Sequence, residues 1–143
     1  KIGTQVTASL NPTYTVSNRL QVSEPVQARI DNVLEGKIVE FESGSAILSS
    51  VGQRVLDELL PVLKGLDGKK MQVIGHTDAS GARLANVTLS RSRATAVRDY
   101  LVSQGLAGGD ILTEGLGPDQ PLVSNATAEG RAKNRRIEFK ILN

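Results

Sequence analysis

The chain contains no cysteine and no tryptophan, a single histidine, and only Tyr14, Phe41, Tyr100 and Phe139 as further aromatic side chains. Without cysteine there can be no disulfide, no thiolate zinc site, no cysteine nucleophile and no lipid-modified cysteine within this stretch. The same lack makes the chain compatible with reducing and oxidising compartments alike. So few aromatics leave no platform on which nucleic-acid bases could stack. The apolar runs are only a few residues long, so neither a transmembrane helix nor a signal-peptide core is expected. There is no Met at position 1, and Lys1 reads as the start of a mature chain or of an excised fragment. Internal repeats and low-complexity tracts are also missing.

What is present fits one compact core: 143 residues, 39% hydrophobic and 22% charged, close to the size of a single domain. The net charge is only +2, and it is unevenly spread. Residues 1–36 carry three basic and three acidic groups, residues 37–78 five and six, and residues 79–143 nine and six. The densest basic run is Arg131, Lys133, Arg135 and Arg136, which reads as a solvated turn more readily than as a polyanion site.

Hydrophobic periodicity predicts the elements. Residues 4–22 alternate in the manner of two short strands broken at Asn11-Pro12. Ser23-Glu24-Pro25 starts a helix whose buried side is Val26, Ile30, Val33 and Leu34, with Gly36 as its stop. Lys37–Phe41 reads as a strand. Ser50 and Gln53 have capping-box spacing for a second helix, with Val51, Val55, Leu56, Leu59, Val62 and Leu63 as its buried stripe. Pro61 is expected to kink that helix or end its regular bonding. A strand around Met71 and Val73 ends at Gly75, and Ser90 is expected to cap a long helix lined by Ala94, Val97 and Leu101, with Gly105 at its end. Strands at Ile111–Glu114 and Ile137–Leu142 follow, separated by a long loop. Helices crossing between strands favour parallel pairing of the early strands, in an α+β sandwich.

Gly75-His76-Thr77-Asp78 lies at the carboxyl end of a predicted strand, where open sheets tend to bind ligands. Arg93, three residues beyond Ser90, is expected in the first turn of the long helix. A carboxylate accepts from an ammonium, and a guanidinium fork matches a carboxylate. Asp78 and Arg93 can therefore read the head group of an amino acid, or simply bridge to each other and tie strand to helix. His76 shares a strand face with Asp78, but no further ligands of a metal site are near it in sequence. No Gly-x-Ser-x-Gly elbow and no paired carboxylates stand in a catalytic context. His76 is therefore expected to be a hydrogen-bonded structural residue. Gly108-Gly109, Gly115 and Gly117 match no phosphate-loop pattern and read as turns. No enzyme, cofactor or metal is expected.

Five motifs in order carry a resemblance. They are Ile38-Val39-Glu40-Phe41 with Gly44-Ser45-Ala46; Gly75-His76-Thr77-Asp78; Asn86 to Ala94, reading Asn-Val-Thr-Leu-Ser-Arg-Ser-Arg-Ala; Gly115-Leu116-Gly117; and Gly130 to Arg136, reading Gly-Arg-Ala-Lys-Asn-Arg-Arg. Together they resemble the OmpA-like peptidoglycan-binding domain, the C-terminal module of OmpA-type porins, Pal lipoproteins and MotB-type stator proteins. The resemblance covers about residues 26–143. It implies a two-layer α+β sandwich with a mixed four-stranded sheet and helices on one face. It also implies that Asp78 and Arg93 hold diaminopimelate of the cell-wall stem peptide, that Thr77, Asn86 and Leu89 line the pocket, and that Arg135 closes its rim. Some relatives carry Asn where this chain has Gly44, so a side-chain contact there is lost or made by backbone.

The expected organisation is an extension or remnant of a preceding module at residues 1–24 and a binding domain at residues 25–143. The expected role is non-catalytic binding of peptidoglycan, as a periplasmic, outer-membrane-associated part of a larger membrane-attached protein. The rivals are a cell-wall-turnover enzyme with the same ligand and a nucleic-acid binder using the Arg131–Arg136 run. Low aromatic content and near-neutral charge argue against the second.

Overall fold

The structure is a computed structural model and describes residues 25–142. The expected strands within residues 4–22 and the extension at residues 1–24 lie outside the described residues. The first helix, α1 (Pro25–Leu34), opens on its proline, whose missing N–H has no helical partner at that position anyway. Its Ile30 is fully buried, and Gly36 turns the chain with a φ of +73°.

Helix α2 (Ser50–Leu63) is capped by Ser49, one residue before the expected cap, with the Ser49 hydroxyl accepting from the Gly52 N–H at 3.1 Å. The helix runs past Pro61, contrary to the expectation that it ends there. Pro61 has no N–H for the Asp57 carbonyl, but the Lys64 N–H still reaches the Leu60 carbonyl at 2.9 Å. A proline so near a helix end costs one bond and leaves the remaining turn intact. Val55, Leu56, Leu59, Val62 and Leu63 are buried as expected, whereas Val51 is 41% exposed.

The sheet comprises β1 (Lys70–His76), β2 (Ile111–Gly117) and β3 (Arg136–Leu142), in the order β2-β1-β3. The β1–β2 pair is parallel, as the intervening helix implied, and β1–β3 is antiparallel. Met71 pairs with Ile111 on one side and Ile141 on the other, and Val73 with Thr113 and Phe139. Met71, Val73, Ile111, Phe139 and Ile141 join residues of α1, α2 and the long third helix in one hydrophobic cluster. The opposite face carries polar pairs such as Gln72 Nε2 to Glu114 Oε1 at 2.8 Å. Alternation thus sends one set of side chains to the core and the other to water.

The sheet has three strands among the described residues, not the four expected. Lys37–Phe41 makes only an isolated antiparallel bridge, Phe41 to Leu48. The outer edge of β3 is already occupied in part by a side chain. Gln27 of α1 donates to the Phe139 carbonyl at 2.9 Å and accepts from the Ile141 N–H at 2.8 Å. One amide side chain thus satisfies two edge groups that a fourth strand would otherwise take.

Helix α3 (Arg83–Ser103) starts seven residues before the expected cap. Ser90 lies inside it, fully buried. Its hydroxyl donates to the Val87 carbonyl at 2.8 Å and accepts from the Gly117 N–H at 3.0 Å. It ties helix to strand and caps nothing. Ala94, Val97 and Leu101 line the core as expected, and Gly105 follows the helix with a φ of +108°. Two motif glycines set how closely α3 lies on the sheet. A Cβ on Gly75 would stand 2.2 Å from the Ser90 carbonyl oxygen, and one on Gly115 would stand 2.3 Å from the Arg91 nitrogen. No side chain fits between these backbones.

A fourth helix, α4 (Ala128–Asn134), occupies part of the expected long loop. Thr127 caps it, accepting from the Gly130 N–H at 2.9 Å. Its anchor is the fully buried Asn134, which accepts from the Leu122 and Val123 N–H groups and donates to the Val123 carbonyl and Asn125 Oδ1. A helix held by polar bonds leaves no apolar stripe for periodicity to detect.

Candidate functional site

The site forms where the chain leaves β1. The β1–β2 register slips between Gly75 and His76, and the Thr77 N–H bonds to the Gly117 carbonyl at 2.9 Å. Asp78 follows, 8% exposed. Its Oδ1 accepts from the Ser80 N–H at 2.8 Å and its Oδ2 from Arg135 Nη1 at 2.6 Å. Burial pushes this carboxyl up, but the Ser80 N–H and the Arg135 guanidinium outweigh it and hold the group below the usual carboxylate range. Asp78 is therefore an anion at neutral pH.

Arg93 sits in the body of α3, not in its first turn as expected. Its Nε donates to the Ser45 carbonyl at 2.8 Å, and its guanidinium carbon lies 5.0 Å from the centre of the Phe41 ring. The loop after the Phe41 motif thus orients this arginine through a backbone oxygen and an aromatic face. Burial, and then the positive charge of Arg135, lower its pKa, although a guanidinium stays protonated. Among the described residues no carboxylate bridges Arg93. The direct Asp78–Arg93 bridge is not formed; the acid's partner is Arg135.

Because α3 begins at Arg83, Asn86, Leu89 and Arg93 fall at i, i+3 and i+7, on one stripe of a regular helix. Asn86 Nδ2 donates to the Ser80 carbonyl at 2.6 Å, fastening the loop after Asp78 to the helix. Leu89 is half-buried on the same stripe. Thr77 is buried, and its hydroxyl donates to the Asp78 carbonyl at 2.8 Å.

Arg93 and Arg135 line a cleft of about 890 Å³, together with Phe41, Gly44, His76 and Arg136. Its apolar wall comes from Val39, Val51, Val55 and Ile137. Asp78, Thr77, Asn86 and Leu89 are not part of that wall; Asp78 reaches it only through Arg135. Gly44 turns the loop with a φ of +67°, and the Ser45 carbonyl beside it is the loop's contact to Arg93. Sequence reasoning missed Phe41, Ser45 and Val51 as parts of this region. Phe41 and Ser45 stand in a quoted motif, but nothing in one dimension tells that they face Arg93.

His76 is a hydrogen-bonded residue, as expected: Nε2 lies 3.0 Å from Glu138 Oε1. Burial lowers its pKa more than Glu138 raises it, so the ring is neutral at pH 7. The three arginines of the basic run are engaged within the fold. Arg131 donates to the Asn125 carbonyl, Arg135 to Asp78, and Arg136 to the Asn134 and Gln120 carbonyls. No cluster of metal-ligating side chains exists among the described residues, and no described helix is long and apolar enough to cross a membrane.

The fold and site define a class: a small α+β module with an ionised aspartate at a strand end and an oriented arginine on the helix packed against it. The chain belongs to the OmpA family, matched over residues 40–135. It is 43% identical over 103 residues to "Probable lipoprotein YiaD" of Escherichia coli, covering 72% of this chain and 47% of that protein. It is 40% identical over 110 residues to the peptidoglycan-binding protein ArfA of Mycobacterium tuberculosis, covering 77% of this chain and 34% of ArfA. The chain therefore spans less than half the length of these curated relatives. Among solved structures it resembles the cell wall anchor of the T6SS from Pseudomonas aeruginosa. There the TM-score is 0.70 and the identity 28%, covering 81% of this chain and 96% of that one.

Proposed function

We propose that this module binds peptidoglycan without cleaving it, and so anchors a larger envelope protein to the cell wall from the periplasmic side, in association with the outer membrane. Asp78 accepts from the ammonium of a diaminopimelate centre in the stem peptide, and Arg93 grips the carboxylate of that centre. Thr77, Asn86 and Leu89 shape the wall around Asp78, and Arg135 closes the rim. The observation that carries this reading is that Arg135, bonded to Asp78, lines the same cleft as Arg93, and that Arg93 is oriented by Ser45 and Phe41 yet bridged to no described carboxylate. The name of ArfA, a peptidoglycan-binding protein, supports peptidoglycan as the partner.

Charge-assisted hydrogen bonds contribute about 1.5–3 kcal/mol, and removing one partner of a desolvated charge pair costs about 2–5 kcal/mol. Asp78→Ala and Arg93→Ala should each weaken binding to purified sacculi at least roughly tenfold, since about 1.4 kcal/mol is a decade. Co-sedimentation measures this, with circular dichroism confirming an unchanged fold. Full binding by Arg93→Ala would overturn the assignment. Release of soluble muropeptides from sacculi would overturn the non-catalytic reading, and a gel shift with DNA at physiological salt would favour nucleic acid instead.

A further inference from the structure

The carboxylate at the heart of the site is already paired. Arg135 Nη1 stands 2.6 Å from Asp78 Oδ2, while the Ser80 N–H takes Oδ1. A ligand ammonium approaching Asp78 therefore finds a cation in its place. The two arginines near this point are held differently. Arg93 is fixed by the Ser45 carbonyl and the Phe41 ring. The Arg135 side chain is 48% exposed against 12% for Asp78, and its guanidinium has Asp78 as its hydrogen-bond partner. Arg135 is thus held by one half-exposed ion pair, and Arg93 by a backbone oxygen and an aromatic face.

We propose that Arg135 determines the specificity of this site: it occupies Asp78 as an internal stand-in for an ammonium and yields only to a ligand that brings a carboxylate with its ammonium. This rests on the proposed assignment of Asp78 and Arg93 to the two charges of one amino-acid centre. A zwitterionic centre exchanges the Asp78–Arg135 pair for two others. Its ammonium takes Asp78, and its carboxylate is shared by Arg93 and the displaced Arg135. That carboxylate also lies between two guanidiniums that line the same cleft, and it offsets the repulsion between their like charges. A ligand with an ammonium alone exchanges one pair for one pair. It leaves Arg135 unpartnered beside Arg93, so it is refused although Asp78 could hold it. Discrimination thus comes from the resident cation as well as from a missing contact.

The test uses the full chain and two stem tripeptides, L-Ala-γ-D-Glu-meso-diaminopimelate and L-Ala-γ-D-Glu-L-Lys, in calorimetric titrations of the natural protein and Arg135→Gln. The side chain of the first ends in a zwitterionic centre and that of the second in an ammonium. The natural protein should prefer the first peptide. Arg135→Gln should bind the lysine peptide as well as or better than the natural protein, while losing affinity for the diaminopimelate peptide. Its preference should shrink about fivefold or more, on the order of 1 kcal/mol. Equal weakening of both peptides, with the preference unchanged, would show Arg135 to be ordinary wall and overturn the inference alone. Failure of the natural protein to bind the diaminopimelate peptide would remove the underlying reading as well. The natural protein offers a check that does not depend on the variant folding. Its Arg135 guanidinium ¹⁵N resonances should move with the diaminopimelate peptide and stay in place with the lysine peptide at equal concentration; movement with both overturns the proposal.

Discussion

Asp78 couples the site to pH. Its carboxyl is held below the ordinary range in the folded chain, whereas in the unfolded chain it titrates near about 3.9. A depressed carboxyl lends stability that is complete above the unfolded value and is lost as pH falls through the lower folded value. Asp78→Asn forgoes that contribution at every pH. The melting-temperature gap between the natural protein and Asp78→Asn should therefore be constant above about pH 5 and narrow steadily below about pH 4. Thermal melts across pH 2–7 read this out; a gap that widens in acid would contradict the sign. His76 lies in a different window. Its lowered pKa makes its contribution fade as pH drops below the ordinary histidine value of about 6.5, so the two effects separate on the pH axis.

At the level of elements, the packing of α3 on the sheet sets the geometry of the site. Gly75 and Gly115 face each other across the β1–β2 pair, and both lie directly beneath the α3 backbone. Adding a methyl at Gly115 would drive it into the Arg91 backbone, and overpacking of this kind costs about 1–3 kcal/mol. Gly115→Ala should lower the melting temperature by several degrees and should also weaken sacculus binding, because the stripe bearing Asn86, Leu89 and Arg93 moves with the helix. Gly109→Ala is the matched control: nothing lies within 4 Å of its added carbon, so stability and binding should both be unchanged. Loss of stability without loss of binding in Gly115→Ala would show that the helix face is not positioned by this contact. The same element explains a misplacement by sequence. Ser90 followed by a polar and basic run resembles a cap, but capping residues and buried helix serines share one chemistry. Which role Ser90 takes depends on whether a partner such as the Gly117 N–H stands opposite.

For the whole molecule, one hydrophobic cluster runs from α1 through α2 and α3 to all three strands, so residues 25–143 should unfold in one cooperative step. The proposed contacts all lie between Thr77 and Arg135. A chain starting at Pro25 should therefore melt with a single transition and bind sacculi within about threefold of the full chain, a difference under roughly 1 kcal/mol. A loss of tenfold or more with folding intact would show that residues 1–24 help to build the site.

The composition, the apolar spacing of α1, α2 and α3, the alternation of β3 and the motifs around Asp78 and Arg93 were legible in one dimension. These features rest on local periodicity and on residue chemistry, which the sequence carries directly. On that basis the class of fold, the parallel β1–β2 pair, the core faces of α2 and α3 and the family itself follow from sequence. Other features needed partners remote in sequence. Lys37–Phe41 has the residues of a strand, yet it makes only the isolated Phe41–Leu48 bridge, while the side chain of Gln27 takes two groups on the free edge of β3. Helix α4 is held by Asn134 and carries no apolar stripe, so its signal is a set of long-range hydrogen bonds. The choice of Arg135 over Arg93 as partner of Asp78 was beyond sequence for the same reason. Spacing lists which charges exist, but the pairing is decided by distance and desolvation, and those arise only when α4, β1 and α3 are packed together.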